Sequence, residues 1–113
     1  MLTTNELRQF SGTEHWYKHL SGYLYTDGVQ YVAQEGGAYW LIDKILFMTR
    51  AKKNLQEFGA WKLEVNEDKS AILVAEDGDY HELYREKIEW TDFPIDKIEL
   101  WFENDVLILP SEH

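Results

Sequence analysis

Phe58-Gly59-Ala60-Trp61-Lys62-Leu63-Glu64-Val65 is where the pattern of the chain changes. From Ala60 onward Trp61, Leu63 and Val65 alternate with Lys62, Glu64 and Asn66, the two-residue period of a half-buried strand. Before Phe58 the period is helical. Val29, Val32, Ala33 and Gly36 recur at i, i+3, i+4 and i+7. The change divides the chain into a mainly helical part, 1–57, and a mainly strand part, 58–113, of one domain.

Working forward, Asn66-Glu67-Asp68-Lys69 is a turn and Ala71 to Ala75 a continuous apolar strand. Asp77-Gly78-Asp79 turns the chain again. Tyr84, Ile88 and Trp90 then oppose Arg85, Lys87 and Glu89. Glu86 shares the apolar parity, as fits a bulge or a sheet edge. After Thr91-Asp92-Phe93-Pro94, the residues Ile98, Leu100 and Phe102 alternate with Glu99, Trp101 and Glu103. Ile95, Ile98 and Phe102 would also suit a helix, but the hairpin signal at Glu103-Asn104-Asp105 favours a strand, followed by Val106 to Leu109 and the stop at Pro110. Five strands joined by short turns predict an antiparallel meander.

Working backward, Ala38 to about Lys53 reads as a helix apolar on most faces, with Arg50, Lys52 and Lys53 at its dipole-compatible end. Gly36-Gly37 separates it from a helix capped by Thr26 or Asp27. Asp27-Gly28 is also a hairpin signal, but the helical period of 29–36 outweighs it. Thr13 to Tyr25, rich in aromatics, reads as extended. Thr3-x-x-Glu6 is a capping box for a short N-terminal helix. The predicted class is α+β, with the helices packed on one face of the meander.

Composition narrows the chemistry. The 113 residues suit one domain and contain no Cys, which excludes disulfides, thiolate metal sites and a Cys nucleophile. There is no basic leader followed by an apolar stretch and no apolar run near the roughly 20 residues of a membrane span, so a cytoplasmic protein is expected. Net charge is −10: residues 1–50 carry five acids against four bases, and 51–113 carry sixteen against seven. Such a balance opposes direct nucleic-acid binding and favours a basic protein partner.

His15-Trp16-Tyr17-Lys18-His19 offers two imidazoles at i and i+4. Trp16 stands where a helical zinc motif has its Glu, and on an extended segment the rings lie about 13 Å apart, so no metal site is expected. No cofactor and no catalytic set are expected either: nucleophile-elbow, phosphate-loop and dinucleotide motifs are all missing. The ligand pocket that the sequence can offer is His15, Tyr17, His19, Tyr25, Asp27, Trp40 and Asp43, whose imidazole, phenol and carboxylate groups could exchange protons. Asp43 lies either on the solvent stripe of its helix beside Tyr39 and Phe47, or as a buried polar anchor facing the His15–Tyr25 segment. Trp101, outward between Glu99 and Glu103, is the candidate partner contact, on an acidic sheet face.

Read together, the strings Gly12-Thr-Glu-His-Trp-Tyr-Lys-His19, Tyr25-Thr-Asp-Gly-Val29, Gly37-Ala-Tyr-Trp-Leu-Ile-Asp43, Trp61-Lys-Leu-Glu-Val65, Thr91-Asp-Phe-Pro94 and Leu109-Pro-Ser-Glu112 resemble a domain-of-unknown-function family of small bacterial, plasmid and phage proteins. The resemblance implies no catalytic residue. Its setting on mobile elements implies a lean toward host interaction or anti-defence. The expectation from sequence is therefore a non-catalytic acidic interaction protein, with a small-ligand protein or enzyme as the alternative.

Overall fold

A computed structural model describes residues 2–113. Helix α1 (Thr4–Leu7) is followed by strands β1 (Trp16–Lys18) and β2 (Leu24–Thr26), then helices α2 (Asp27–Glu35) and α3 (Tyr39–Ala51). Strands β3 (Phe58–Val65), β4 (Ala71–Glu76), β5 (Glu82–Ile88), β6 (Lys97–Glu103) and β7 (Val106–Ile108) complete the chain, with 3-10 turns at Lys53–Leu55 and Pro110–Glu112. The α+β class holds, and the five strands read between 58 and 109 are all present.

Three features of the expectation are corrected. The sheet has seven strands, because the extended segment 13–25 contributes β1 and β2 to it. It is also not a meander: the order is β1-β2-β7-β6-β3-β4-β5, antiparallel except at β2–β7. Helical structure likewise recurs after the strands, at Pro110–Glu112. The physical reason for the order lies in the 89–96 connection. It crosses the end of the β3–β4 hairpin, where the Thr91 N–H donates to Lys69 O and the Val65 N–H to Asp96 O. This route delivers β6 to the far side of β3. Phe93, 2 % exposed, is driven into the core on the way.

The register places Trp61 opposite Leu100 and Ala75, and Leu63 opposite Ile98 and Leu73. These residues share one core with Val29, Val32 and Ala33 of α2 and Leu41, Ile42, Ile45 and Leu46 of α3. Each such aliphatic side chain contributes about 1.5–3 kcal/mol by leaving water.

Local signals set the element ends. Thr3 Oγ accepts the Glu6 N–H, and Thr26 Oγ accepts the Val29 N–H. At the end of α2 the Ala38 N–H reaches back to Ala33 O across Gly37, whose φ of +59° is the left-handed conformation such a C-cap demands. Asn104 and Asp105 both have positive φ and close β6–β7 as a two-residue hairpin. Glu86, puzzling by parity, lies on the edge strand β5 and reaches Lys44 of α3 at 2.6 Å and the Tyr84 hydroxyl at 2.6 Å.

Candidate functional site

Asp27 organises the surface around the start of α2. Its Oδ2 accepts the backbone N–H groups of Glu14 (3.0 Å) and His15 (3.2 Å), and its Oδ1 accepts the Tyr17 hydroxyl (3.2 Å). The Glu14 amide, then the His15 amide and the Tyr17 hydroxyl, hold its carboxyl below the usual range against the opposing effect of burial. Thr13 Oγ accepts the Asp27 N–H and donates to His15 O, so residues 13–17 are strapped across the helix N-terminus. Tyr17 stacks on Tyr25 with centroids 5.5 Å apart. Burial raises both hydroxyl pKa values, reinforced at Tyr17 by the Asp27 hydrogen bond and at Tyr25 by Tyr39.

The strap forms one wall of a groove of about 730 Å³ lined by Gln9, Phe10, Ser11, Gly12, Thr13, Glu14, His15, Tyr17, Asp27, Gln30, Tyr31 and Gln34. Its floor is the outer stripe of α2, Asp27, Gln30, Tyr31 and Gln34, at i, i+3, i+4 and i+7. Phe10 packs on Tyr31 at 5.2 Å, and the Tyr31 hydroxyl donates to Glu6. The lining holds two carboxylates, three amide side chains and three aromatic rings, and no Lys or Arg.

Only His15, Tyr17 and Asp27 of the seven expected pocket residues line this groove. His19 and Asp43 form a second cluster: His19 Nε2 lies 2.7 Å from Asp43 Oδ1, and Nδ1 lies 2.9 Å from Ser21 Oγ. Asp43 lies on the solvent stripe of α3 beside Tyr39 and Phe47 and is not the buried anchor of the alternative; from that exposed position it pairs with His19 of the β1–β2 turn. The chain of Ser21, His19 and Asp43 has the residue types of a nucleophilic triad. However, the Ser21 N–H donates to Nδ1 at 3.0 Å and the Tyr23 N–H donates to Ser21 Oγ, so the hydroxyl and the imidazole lone pair are spent on closing the turn. Trp40 lies apart, on a shallow surface of α3 with Asp43, Lys44, Phe47, Met48 and Ala51. The expected seven-residue pocket is therefore divided among separate places, with Tyr25 stacked behind Tyr17.

Sequence reasoning missed Gln9, Phe10, Glu14, Gln30, Tyr31 and Gln34. The signal for three of them was available, since Gln30, Tyr31 and Gln34 continue from Asp27 with the same period that marked the buried face of α2.

The open face of the sheet differs from the expected acidic surface. The register places Glu64, Glu76, Glu82, Glu99 and Glu103 there beside Lys18, Lys62, Arg85, Lys87 and Lys97, an even balance. Cross-strand neighbours neutralise one another, as Lys62 and Glu76 do at 2.8 Å. The acid excess lies in the connections, where Asp68 accepts the Ser70 N–H and Asp77 the N–H groups of Asp79 and His81. Trp101 is half-buried and engaged by its own chain: its indole N–H donates to Glu99 at 2.5 Å, and Phe58 and His113 pack on its ring. His113 in turn pairs with Glu103 at 3.1 Å.

Asp77, Asp79 and His81 bring one ligand atom each within 4.8 Å of the others, a spacing that could hold a cation. The turn accounts for Asp77 there, because its Oδ1 is committed to two backbone amides. Among the described residues no helix is long and apolar enough to cross a membrane.

The model of a family of unknown function, DUF6876, matches residues 1–113, and the chain belongs to that family. No curated protein and no solved structure matches the chain.

Proposed function

From a family of unknown function no role carries over, and we propose from the groove itself that this chain is a non-catalytic interaction protein that holds a positively charged segment of a partner protein between residues 9–17 and α2. The observation that carries the reading is the lining: Glu14 and Asp27 supply negative charge, Phe10, Tyr17 and Tyr31 supply ring faces, and neither Lys nor Arg is among the lining residues. Carboxylates beside aromatic faces favour guanidinium and ammonium groups, each ring contact contributing about 0.5–1 kcal/mol at an exposed site. The amide heads of Gln9 and Gln34 suit an extended backbone. A net charge of −10 adds long-range attraction for a basic partner and accelerates encounter.

The volume also lies within the roughly 300–1,000 Å³ of small-ligand sites, so a free organic cation is the second reading. A role in host interaction or anti-defence is compatible with either reading.

Fluorescence anisotropy with a labelled decalysine or deca-arginine peptide tests the proposal. Binding should weaken steeply between 50 and 300 mM salt and about tenfold in E14K and Q34K, both exposed changes. Tight binding by free arginine but not by the peptide would favour the small-ligand reading. Peptide binding that E14K and Q34K leave unchanged would place the site elsewhere.

A further inference from the structure

The outer surface of α3 is unusual for an exposed helix face. Tyr39 is 48 % exposed, Phe47 46 % and, in the turn that His19 pins to this helix, Leu20 92 %. Trp40 and Met48 flank them, half-buried. A stripe of this kind on a charged protein marks an interaction surface.

Charge identifies the occupant. On a chain of net charge −10, residues 44–53 carry Lys44, Arg50, Lys52 and Lys53 and no acid. Lys44 is paired with Glu86, while Arg50 lies 5.7 Å above the Tyr23 ring with its position exposed. Two copies of a purely basic patch would repel, but exposed Asp43 lies on the same stripe as Arg50, so the stripe carries both signs. Asp43, Phe47 and Arg50 fall at i, i+4 and i+7, along one stripe.

We infer that two copies of this chain pair through α3 in antiparallel fashion about a two-fold axis beside Phe47, so that Asp43 of each faces Arg50 of the other. A two-fold contact uses the same patch twice and must be self-complementary, and opposite charges on either side of a central aromatic meet that condition. Antiparallel helices also oppose their dipoles. The apolar stripe offers roughly 400 Å² per copy, about half of what a standard stable interface buries, so the dimer is weak, with micromolar dissociation. The groove beside α2 adjoins this stripe, since the Gln30 side-chain amide donates to the Tyr39 hydroxyl at 2.9 Å, but the two proposals are tested by different variants and different readouts.

Sedimentation velocity of the full chain from 1 to 300 µM tests the inference. The expected result is a monomer–dimer equilibrium that F47E weakens about thirtyfold or more, the loss of a central anchor. D43R and R50D, each shown folded by circular dichroism, should be monomeric alone and dimerise when mixed in equal amounts, since the mixture restores both opposite-charge pairs. A wild-type chain monomeric at 300 µM overturns the inference, as does a dimer that F47E leaves intact. If the mixed variants do not dimerise, the antiparallel pairing is wrong. A monomeric chain that co-sediments with vesicles of anionic phospholipid would assign this face to a membrane surface instead, and overturn it too.

Discussion

Replacing Glu112 by Ala should destabilise the protein by about 3 kcal/mol, although the residue is only half-buried and next to last in the sequence. Its Oε1 accepts the Thr26 hydroxyl at 2.6 Å and the Leu109 N–H at 2.9 Å, and its Oε2 accepts the Gly28 N–H at 3.1 Å. All three donors are on buried residues. Each hydrogen bond to a charged group contributes about 1.5–3 kcal/mol, and the carboxylate beside the start of α2 adds about 0.3–1 kcal/mol from the helix dipole. Against that sum stands the side-chain freedom released, up to about 2 kcal/mol, and the water that can reach the loosened turn. At about 4 °C per kcal/mol for a chain of this size, Tm should fall by about 12 °C. Glu112→Gln keeps one acceptor oxygen and should cost about 1 kcal/mol. Urea unfolding at pH 7 measures both. A double-mutant cycle with Thr26→Ala should show a coupling of about 1–2 kcal/mol. If Glu112→Ala costs under 1 kcal/mol, or the two changes add, the C-terminal turn does not brace α2 and the reasoning fails.

Other consequences follow from the same geometry. A Cβ on Gly36 would lie 2.7 Å from the Val32 carbonyl oxygen and 2.9 Å from Phe93, so Gly36→Ala should cost about 2–3 kcal/mol in denaturant unfolding; a neutral result would mean that α2 ends differently. The Tyr31 and Tyr84 hydroxyls are each pushed up to about 12, chiefly by the Glu6 hydrogen bond and by burial respectively. These raised values favour the neutral phenol, so their contribution to stability is complete below pH 10 and is lost as pH rises through 12. Ultraviolet titration should therefore find these two tyrosines un-ionised at pH 11, with Glu6→Gln returning Tyr31 toward its ordinary value. Glu86 is held low by Lys44 and then Tyr84, so its contribution is present above the unfolded carboxyl pKa and is lost as pH falls through the lower folded value. Lys44→Met should accordingly destabilise at pH 7 and make little difference near pH 2. Asp27→Ala should speed amide hydrogen exchange at Glu14 and His15 more than tenfold; unchanged exchange there would dissociate the strap from Asp27.

Strands β3 to β6 and both long helices were legible because each runs long enough for a pattern to repeat, and the three-residue β7 because the turn signal at Glu103-Asn104-Asp105 precedes it. Strands β1 and β2, at three residues each, are too short to show alternation, and the aromatic run around them matches several patterns. Their place in the sheet depends on contact with β7, some eighty residues later in the chain. Sequence correctly required that Asp43 find a partner on another element, but not that the partner would be His19. The pocket was misgrouped for the same kind of reason. His15 and His19 are close in sequence, yet one turns toward Asp27 and the other toward Asp43, and only the path through the β1–β2 turn decides which. Trp101 was read as outward from parity, which is right. Its engagement by His113 depends on where the last turn folds back over the sheet.

The account rests on the groove beside α2 being the place where a cationic segment binds. Titrating the ¹⁵N-labelled protein with decalysine and following its amide resonances tests that most directly. The predicted result is saturable shifts concentrated at Glu14, His15, Gln30, Tyr31 and Gln34, abolished by high salt. Shifts confined to Glu99, Trp101 and Glu103, or no saturable shifts at all, would contradict it.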